Sequence, residues 1–179
     1  TLYCGLLAPS LNDMVCEEDE DTCIWREHVR SSLIRAIIES CYPRVLREAE
    51  ARRGRGKVDR VLVACPTEEY HELGARMVAD FFTIAGFDVT FIGANTPRRV
   101  MLSAARHLRP RYLALSVTNY YNLFDARQVV DAVRKELGDS VTVVVGGSAF
   151  ARNKEAASEV GADLELHTFE DVRRLRKEV

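Results

Sequence analysis

From residue 58 to the end of the chain, β-branched apolar segments alternate strictly with segments whose apolar residues recur at helical spacing. The apolar segments predict strands at 58–64, 89–93, 112–117, 141–145 and 164–167. Helices are predicted at 71–85, 97–108, 123–137, 152–160 and 169–177. Such alternation implies an α/β fold with a parallel sheet and helices on both faces. Five strands favour a flavodoxin-like (Rossmann-like) order 2-1-3-4-5, whose ligand crevice lies between strands 1 and 3.

The first third of the chain has no strand pattern and predicts a small helical bundle. After an acidic run at 17–21, Thr22 is a plausible N-cap for a long helix. The apolar residues of this helix form one broad face: Val29, Leu33, Ile34, Ile37, Ile38, Tyr42, Val45 and Leu46. Residues 52–57 are basic and contain glycine, which is typical of a solvated linker. The sequence therefore divides into a helical domain at 1–56 and an α/β domain at 57–179.

Composition narrows the class of protein. The chain has 179 residues, 47% of them hydrophobic, and a net charge of −2, which gives no global attraction to nucleic acid or to anionic membranes. It contains no apolar run long enough to span a bilayer and does not start with a basic segment followed by a hydrophobic core. We therefore expect a cytoplasmic protein.

The five cysteines form no C-x-x-C pair, and the expected state is reduced thiols. Cys16, Cys23 and His28 fit none of the usual zinc-ligand spacings, so zinc is not expected there.

Three polar or glycine-containing segments follow predicted strands, at the edge where parallel sheets bind ligands. His71 lies in the turn after strand 1, and Glu69 can accept a hydrogen bond from one of its ring nitrogens. This bond would fix the tautomer and leave the other nitrogen free for a metal. Ser116 and Thr118 follow strand 3, and Gly146-Gly147 follows strand 4 and would let a ligand lie against the backbone.

Simpler interpretations of these segments remain open at this point. His71 could be an exposed residue at an acidic helix start, and Gly146-Gly147 could be only a tight turn. The glycines match neither a P-loop nor a dinucleotide-binding fingerprint, which weighs against both familiar kinds of nucleotide binding.

Together, Glu-x-His-x-x-Gly after strand 1, Ser-x-Thr after strand 3 and Gly-Gly after strand 4 resemble the cobalamin-binding domain. This domain is shared by methionine synthase, corrinoid methyl carriers, cobalamin mutases and a group of cobalamin-dependent regulators. The run from Gly74 to Phe82 (GARMVADFF) is also similar to the family, and the resemblance extends from about Arg60 to the end of the chain.

The resemblance implies a role for each matching residue. His71 corresponds to the lower axial ligand of cobalt in place of the cofactor's own dimethylbenzimidazole, and Glu69 to its hydrogen-bond partner, where the family more often has Asp. Gly74 would give the displaced nucleotide tail room to pass. Ser116, Thr118, Gly146 and Gly147 would form the wall of the slot that holds this tail.

The helical domain would then cap the upper face of the corrin ring. Glu27-His28 resembles a Glu-His pair in light-sensing cobalamin repressors, which implies that His28 lies near the upper face. Those repressors carry a Trp about three helical turns upstream of the pair. The corresponding position here is near Glu17, and the only Trp is Trp25, so light sensing through adenosylcobalamin is not expected.

Two functions are consistent with this resemblance. The first is a cobalamin-binding sensor or regulatory module, and the alternative is a corrinoid protein that carries methyl groups between methyltransferase partners. A haem-binding relative of the fold is a third possibility, because His71 could also bind haem iron. No complete catalytic domain fits beside the α/β domain, so we expect no enzymatic activity by the chain alone. A protein partner, either a regulator or a methyltransferase, is expected, and direct nucleic-acid binding is not.

Overall fold

A computed structural model describes residues 2–12, 16–52, 58–153 and 155–177. The described part of the N-terminal region is helical apart from residues 16–19. A π-helical turn at Tyr3–Leu7 runs into the short helix α1 (Ala8–Asn12), and α2 (Glu20–Arg52) follows as a single helix of 33 residues. The predicted domain boundary between residues 56 and 57 lies outside the described residues.

The remaining chain forms a five-stranded parallel sheet in the order β2-β1-β3-β4-β5, which confirms the predicted fold class and strand order. The strands are β1 (Arg60–Ala64), β2 (Asp88–Gly93), β3 (Tyr112–Ser116), β4 (Thr142–Gly146) and β5 (Leu164–Glu165). The helices are α3 (Glu72–Ala85), α4 (Arg98–Leu108), α5 (Leu123–Leu137), α6 (Ser148–Ala151), α7 (Ala156–Glu159) and α8 (Phe169–Lys177). The site described below lies at the carboxyl ends of β1, β3 and β4.

The two faces of the sheet belong to different cores because neighbouring residues of a strand point to opposite sides. One face, including Leu113 and Val143, packs against α4 and α5. The other face, including Val63, Ala114 and Val144, packs against α3 and α8. Val63, Ala114 and Val144 are register partners and so form a row across the three central strands.

The helical region is joined to the α/β unit through α3. A separate apolar cluster contains Ile34 and Ile38 of α2 and Leu73 and Met77 of α3. Beside it, the hydroxyl of Tyr3 donates a hydrogen bond to the buried carboxylate of Asp80 at 2.7 Å. Burial raises the pKa of Asp80, against the opposing effect of the bond from Tyr3. The contact between the two regions therefore combines apolar packing with a buried polar bond.

Helix α2 departs from its predicted form in two respects. It begins at Glu20, and the Asp19 carboxylate accepts from the Thr22 N–H at 3.0 Å, so the predicted N-cap at Thr22 is wrong. Only part of the predicted apolar face is buried, namely Ile34, Ile38 and Val45. The large side chains Val29, Leu33, Ile37, Tyr42 and Leu46 remain exposed, because they extend beyond the side of α2 that meets α3. Trp25 is also exposed.

Two further expectations are corrected. Cys16 and Cys23 form a disulfide, with 5.7 Å between their Cα atoms, so the expectation of reduced thiols fails for this pair. The two cysteines are close because the chain turns between them at the start of α2. The absence of a C-x-x-C pair does not exclude such a contact. The predicted helix at 152–160 is shortened to the four residues of α7. Before it, the Asn153 N–H donates to the Phe150 carbonyl at the end of α6, and the Asn153 side chain accepts from the Glu155 N–H. No helix within the described ranges is long and apolar enough to cross a membrane.

Candidate functional site

Glu69 is a fully buried carboxylate in the loop between β1 and α3. Its Oε1 accepts from the backbone N–H of His71 at 3.0 Å and lies 2.6 Å from the ring Nδ1 of the same residue. Its Oε2 accepts from the backbone N–H groups of Thr118 and Asn119, at 2.8 and 2.9 Å, and from the Asn122 amide at 3.2 Å. The predicted bond between Glu69 and His71 is therefore present, and the same carboxylate ties the loop after β1 to the loop after β3.

These bonds determine the ionisation of both groups. Burial acts to raise the pKa of Glu69, but the hydrogen bonds from His71, Asn119 and Thr118 outweigh it and lower the pKa to about 2. The hydrogen bond to Glu69 raises the pKa of His71, against the opposing effect of burial, and the charge of Glu27 adds to the increase. Because the ionised carboxylate requires a donor at Nδ1, neutral His71 carries its proton there and presents Nε2 as a free base.

A cleft of about 670 Å³ lies between the helical region and the carboxyl ends of the strands. Seven of the eight predicted site residues line it: His28, His71, Gly74, Ser116, Thr118, Gly146 and Gly147. The eighth, Glu69, lies behind His71 rather than on the cleft wall. The strand order thus brings into one cavity residues that are far apart along the chain.

The three predicted glycines serve different purposes. A side chain at Gly74 would meet no atom within 4 Å, so this exposed position of α3 leaves open space in the cleft. At Gly147 the φ angle is +108°, and a Cβ would lie 2.4 Å from the carbonyl oxygen of Val117. At Gly146 a Cβ would lie 2.8 Å from the carbonyl oxygen of Leu166. Gly146 and Gly147 are therefore needed for close backbone packing, whereas Gly74 provides room.

The opposite wall of the cleft comes from the helical region. Glu27, His28, Ser31 and Arg35 of α2 line it. Arg35 also forms an ion pair with Glu72 at 2.8 Å, and the second oxygen of Glu72 accepts from the Ala94 N–H at 3.0 Å. This pair links α2 to the first turn of α3, next to His71.

Sequence reasoning missed several residues of the site. Asn119 and Asn122 hold Glu69, and their position three and six residues after the end of β3 could have indicated a polar loop facing strand 1. Thr168, Phe169 and Val172 add a wall from the start of α8. The position of these residues depends on how α8 packs across the sheet, and the local sequence does not predict that packing.

Comparison with known proteins identifies the family. The family model for the B12 binding domain matches residues 59–174. The chain is 30% identical over 161 residues to the HTH-type transcriptional repressor CarA of Myxococcus xanthus and 31% identical over 166 residues to CarH of the same organism. These alignments cover 89% and 92% of this chain but 52% of each repressor, so the chain spans about half of their length.

A second group of relatives consists of corrinoid proteins. Trimethylamine corrinoid protein 1 of Methanosarcina acetivorans is 28% identical over 70% of this chain and 58% of its own length. The structure of the monomethylamine corrinoid protein of Methanosarcina barkeri has the same fold, with a TM-score of 0.71 and 17% identity over 85% of this chain and 69% of that one. Because the family model covers more than half of the chain, the protein belongs to the B12-binding domain family, and its cofactor is cobalamin.

Proposed function

We propose that this protein holds cobalamin with His71 Nε2 as the lower axial ligand of cobalt. The observation that supports this most strongly is the 2.6 Å contact between Nδ1 of His71 and the buried, ionised Glu69. A carboxylate behind a ligating imidazole fixes the tautomer and raises the basicity of the ligating nitrogen. The His71 side chain is 56% exposed on the cleft side, which leaves this nitrogen accessible.

The residues present fit such a cofactor. The displaced nucleotide tail would enter beside Gly74, where the chain leaves open space, and pass the hydroxyls of Ser116 and Thr118 toward the Gly146-Gly147 turn. When bound, cobalamin supplies a cobalt ion whose upper position can carry and release an alkyl group. The chain's own contribution is to fix the His71 ring, to keep Glu69 ionised and to cover the opposite side of the cleft with α2.

We further propose that the protein acts as a sensor or regulatory module. Glu27 and His28 line the same cleft as His71, so a side chain from α2 is available on the opposite wall. The similarity to the repressors CarA and CarH extends over nine-tenths of the chain and therefore reaches into the N-terminal helical region, including most of α2. A regulatory output would pass to a protein partner, and we expect the described residues to make no direct contact with nucleic acid and the protein to be cytoplasmic.

A corrinoid methyl carrier is the second candidate function. It is supported by the similarity to the trimethylamine and dimethylamine corrinoid proteins of Methanosarcina species. In this case the partner would be a methyltransferase, and the upper side of the cleft would have to stay open to the methyl donor and acceptor.

Visible spectra of bound hydroxocobalamin test the proposed ligation. Wild-type protein should give the spectrum of imidazole-ligated cobalt, and His71→Ala should give that of cobalt without a protein nitrogen below. His107→Ala is the matched control, because His107 lies on α4 and does not line the cleft. Identical spectra for wild type and His71→Ala would sink the assignment.

A further inference from the structure

The inner end of the cleft differs chemically from its mouth. The row formed by Val63, Ala114 and Val144 lines the cleft, two residues deeper in β3 and β4 than Ser116 and Gly146. Two residues of a strand correspond to about 6.6 Å, so this row lies well below the hydroxyl-bearing mouth. Val78 of α3 and Val172 of α8 line the cleft from the other side.

We call these five side chains the cleft floor: Val63, Val78, Ala114, Val144 and Val172. None of them carries a hydrogen-bonding group. The backbone around Val63, Ala114 and Val144 is occupied as well, because β1, β3 and β4 each pair with a strand on both sides. A ligand that reaches the cleft floor therefore meets apolar surface without a free donor or acceptor.

The mouth has the opposite character. Ser116, Thr118 and Ser148 line it, and their side chains carry hydroxyl groups that can serve a sugar or a phosphate. A nucleotide tail has this polarity: a polar sugar and phosphate followed by an aromatic base. With the tail entering at the mouth, the base would be the part that reaches the cleft floor.

We propose that the cleft floor selects corrinoids by the chemistry of their lower base. A cresol ring would bury only apolar edges there, and dimethylbenzimidazole would add one ring nitrogen, the one displaced from cobalt. Adenine would bury an exocyclic amine and further ring nitrogens without partners. An unsatisfied buried polar group costs about 1–3 kcal/mol, which corresponds to about a tenfold to hundredfold loss of affinity. This inference rests on the proposed tail-down binding mode and adds to it the class of corrinoid that binds.

Ala114 determines the shape of the cleft floor. It is the smallest member of the row and lies between two valines. Its side chain is the shortest of the row, so the proposal places the flat ring over Ala114. Ala114→Val adds volume at this position, so it should weaken binding of cobalamin more than binding of cobinamide, which lacks the tail.

The direct test is a comparison of dissociation constants for cobalamin, cresolyl cobamide, adeninyl cobamide and cobinamide on the wild-type protein, followed by visible absorption. Cobalamin and cresolyl cobamide should bind about tenfold to a hundredfold more tightly than adeninyl cobamide. If cobalamin and adeninyl cobamide bind equally tightly, and both bind more tightly than cobinamide, the proposed selection is wrong but the tail-down mode is not. Cobinamide binding as tightly as cobalamin overturns the tail-down mode itself, so the two failures are distinguishable.

A pair of variants tests whether the preference for cobalamin comes from the cleft floor or from the ligands themselves. Val144→Thr adds a hydroxyl at nearly constant volume and should reduce the cobalamin preference over adeninyl cobamide by about twofold to tenfold. Val143→Thr is the matched control, since Val143 lies on the same strand but in the core on the other face of the sheet. Val172→Thr repeats the test from α8 in case Val144→Thr does not fold. An unchanged preference in a folded Val144→Thr or Val172→Thr protein, or an equal reduction in Val143→Thr, contradicts the proposal.

Discussion

The carboxylate of Glu69 accepts a hydrogen bond from the backbone N–H of Thr118 at 2.8 Å while its other oxygen contacts His71. One buried side chain thus connects the loop after β1, which carries the proposed cobalt ligand, to the loop after β3, which carries part of the proposed tail site. This connection makes the stability of the fold and the ionisation of His71 depend on the same residue.

Glu69→Gln should destabilise the apo protein by about 1.5–3 kcal/mol, because an amide cannot accept all the hydrogen bonds that the carboxylate accepts. The pKa of Glu69 is about 2 in the folded state and about 4.3 in an unfolded chain. Its ionised form therefore contributes stability above pH 4.3 that is lost as the pH falls toward 2. Urea unfolding from pH 7 to pH 3 should show a steeper loss in wild type than in Glu69→Gln. Parallel curves would contradict this role.

The same variant should change the titration of His71 in the apo protein. The pKa of His71 is raised by Glu69, so protonated His71 contributes stability below pH 6.5 that is lost as the pH rises through the raised value. NMR of the histidine ring protons should place the midpoint of His71 above 6.5 in wild type and lower in Glu69→Gln. His107 serves as an internal reference, and a His71 midpoint that does not move would argue against the coupling.

Gly74→Ala should separate stability from affinity. Alanine is favoured over glycine by up to about 0.5–1 kcal/mol in a helix, and Gly74 lies in the first turn of α3. A Cβ at Gly74 meets no protein atom within 4 Å, so the apo protein should become more stable. The same methyl group occupies space in the cleft, so the affinity for cobalamin should fall. Gly5→Ala is the matched control, because Gly5 also has open space but does not line the cleft. Calorimetry showing the same affinity for Gly74→Ala and Gly5→Ala would rule out tail passage at Gly74.

Gly147→Ala should behave in the opposite way. Its positive φ and the 2.4 Å approach to Val117 mean that any side chain strains the turn, at a cost of about 1–3 kcal/mol or more. Thermal unfolding of the apo protein should therefore show the loss without any cofactor present. A Gly147→Ala protein of wild-type stability with weakened cobalamin binding would instead assign Gly147 to the slot, as the resemblance to the cobalamin-binding family implies.

How much of this site the sequence predicts depends on the range of the contacts. The strands follow from local apolar patterns, and their order from the strict alternation of strands and helices. The bond between Glu69 and His71 is also local, because only one residue separates them. The bonds from Asn119 and Asn122 to Glu69 span about 50 residues and exist only because β3 lies beside β1. The Cys16–Cys23 disulfide and the exposed side of α2 were mispredicted for a related reason, because both depend on how α2 begins and what it packs against.

His28→Ala tests the upper side of the cleft. If His28 approaches the upper face of the corrin, hydroxocobalamin on the wild-type protein should show a spectrum with two imidazole ligands. His28→Ala should lose one of them and keep the other. Coincident spectra, together with ready transfer of the methyl group of bound methylcobalamin to a methyltransferase, would favour the carrier over the sensor.

The central claim is that His71 binds cobalt from below, and electron paramagnetic resonance of bound cob(II)alamin tests it most directly. With natural-abundance protein, one axial nitrogen should split each cobalt line into three, and with ¹⁵N-histidine protein into two. This isotope effect should disappear in His71→Ala and persist in His28→Ala. A splitting that does not respond to ¹⁵N-histidine means that the axial nitrogen comes from the cofactor's own base, and the proposed ligation is then wrong.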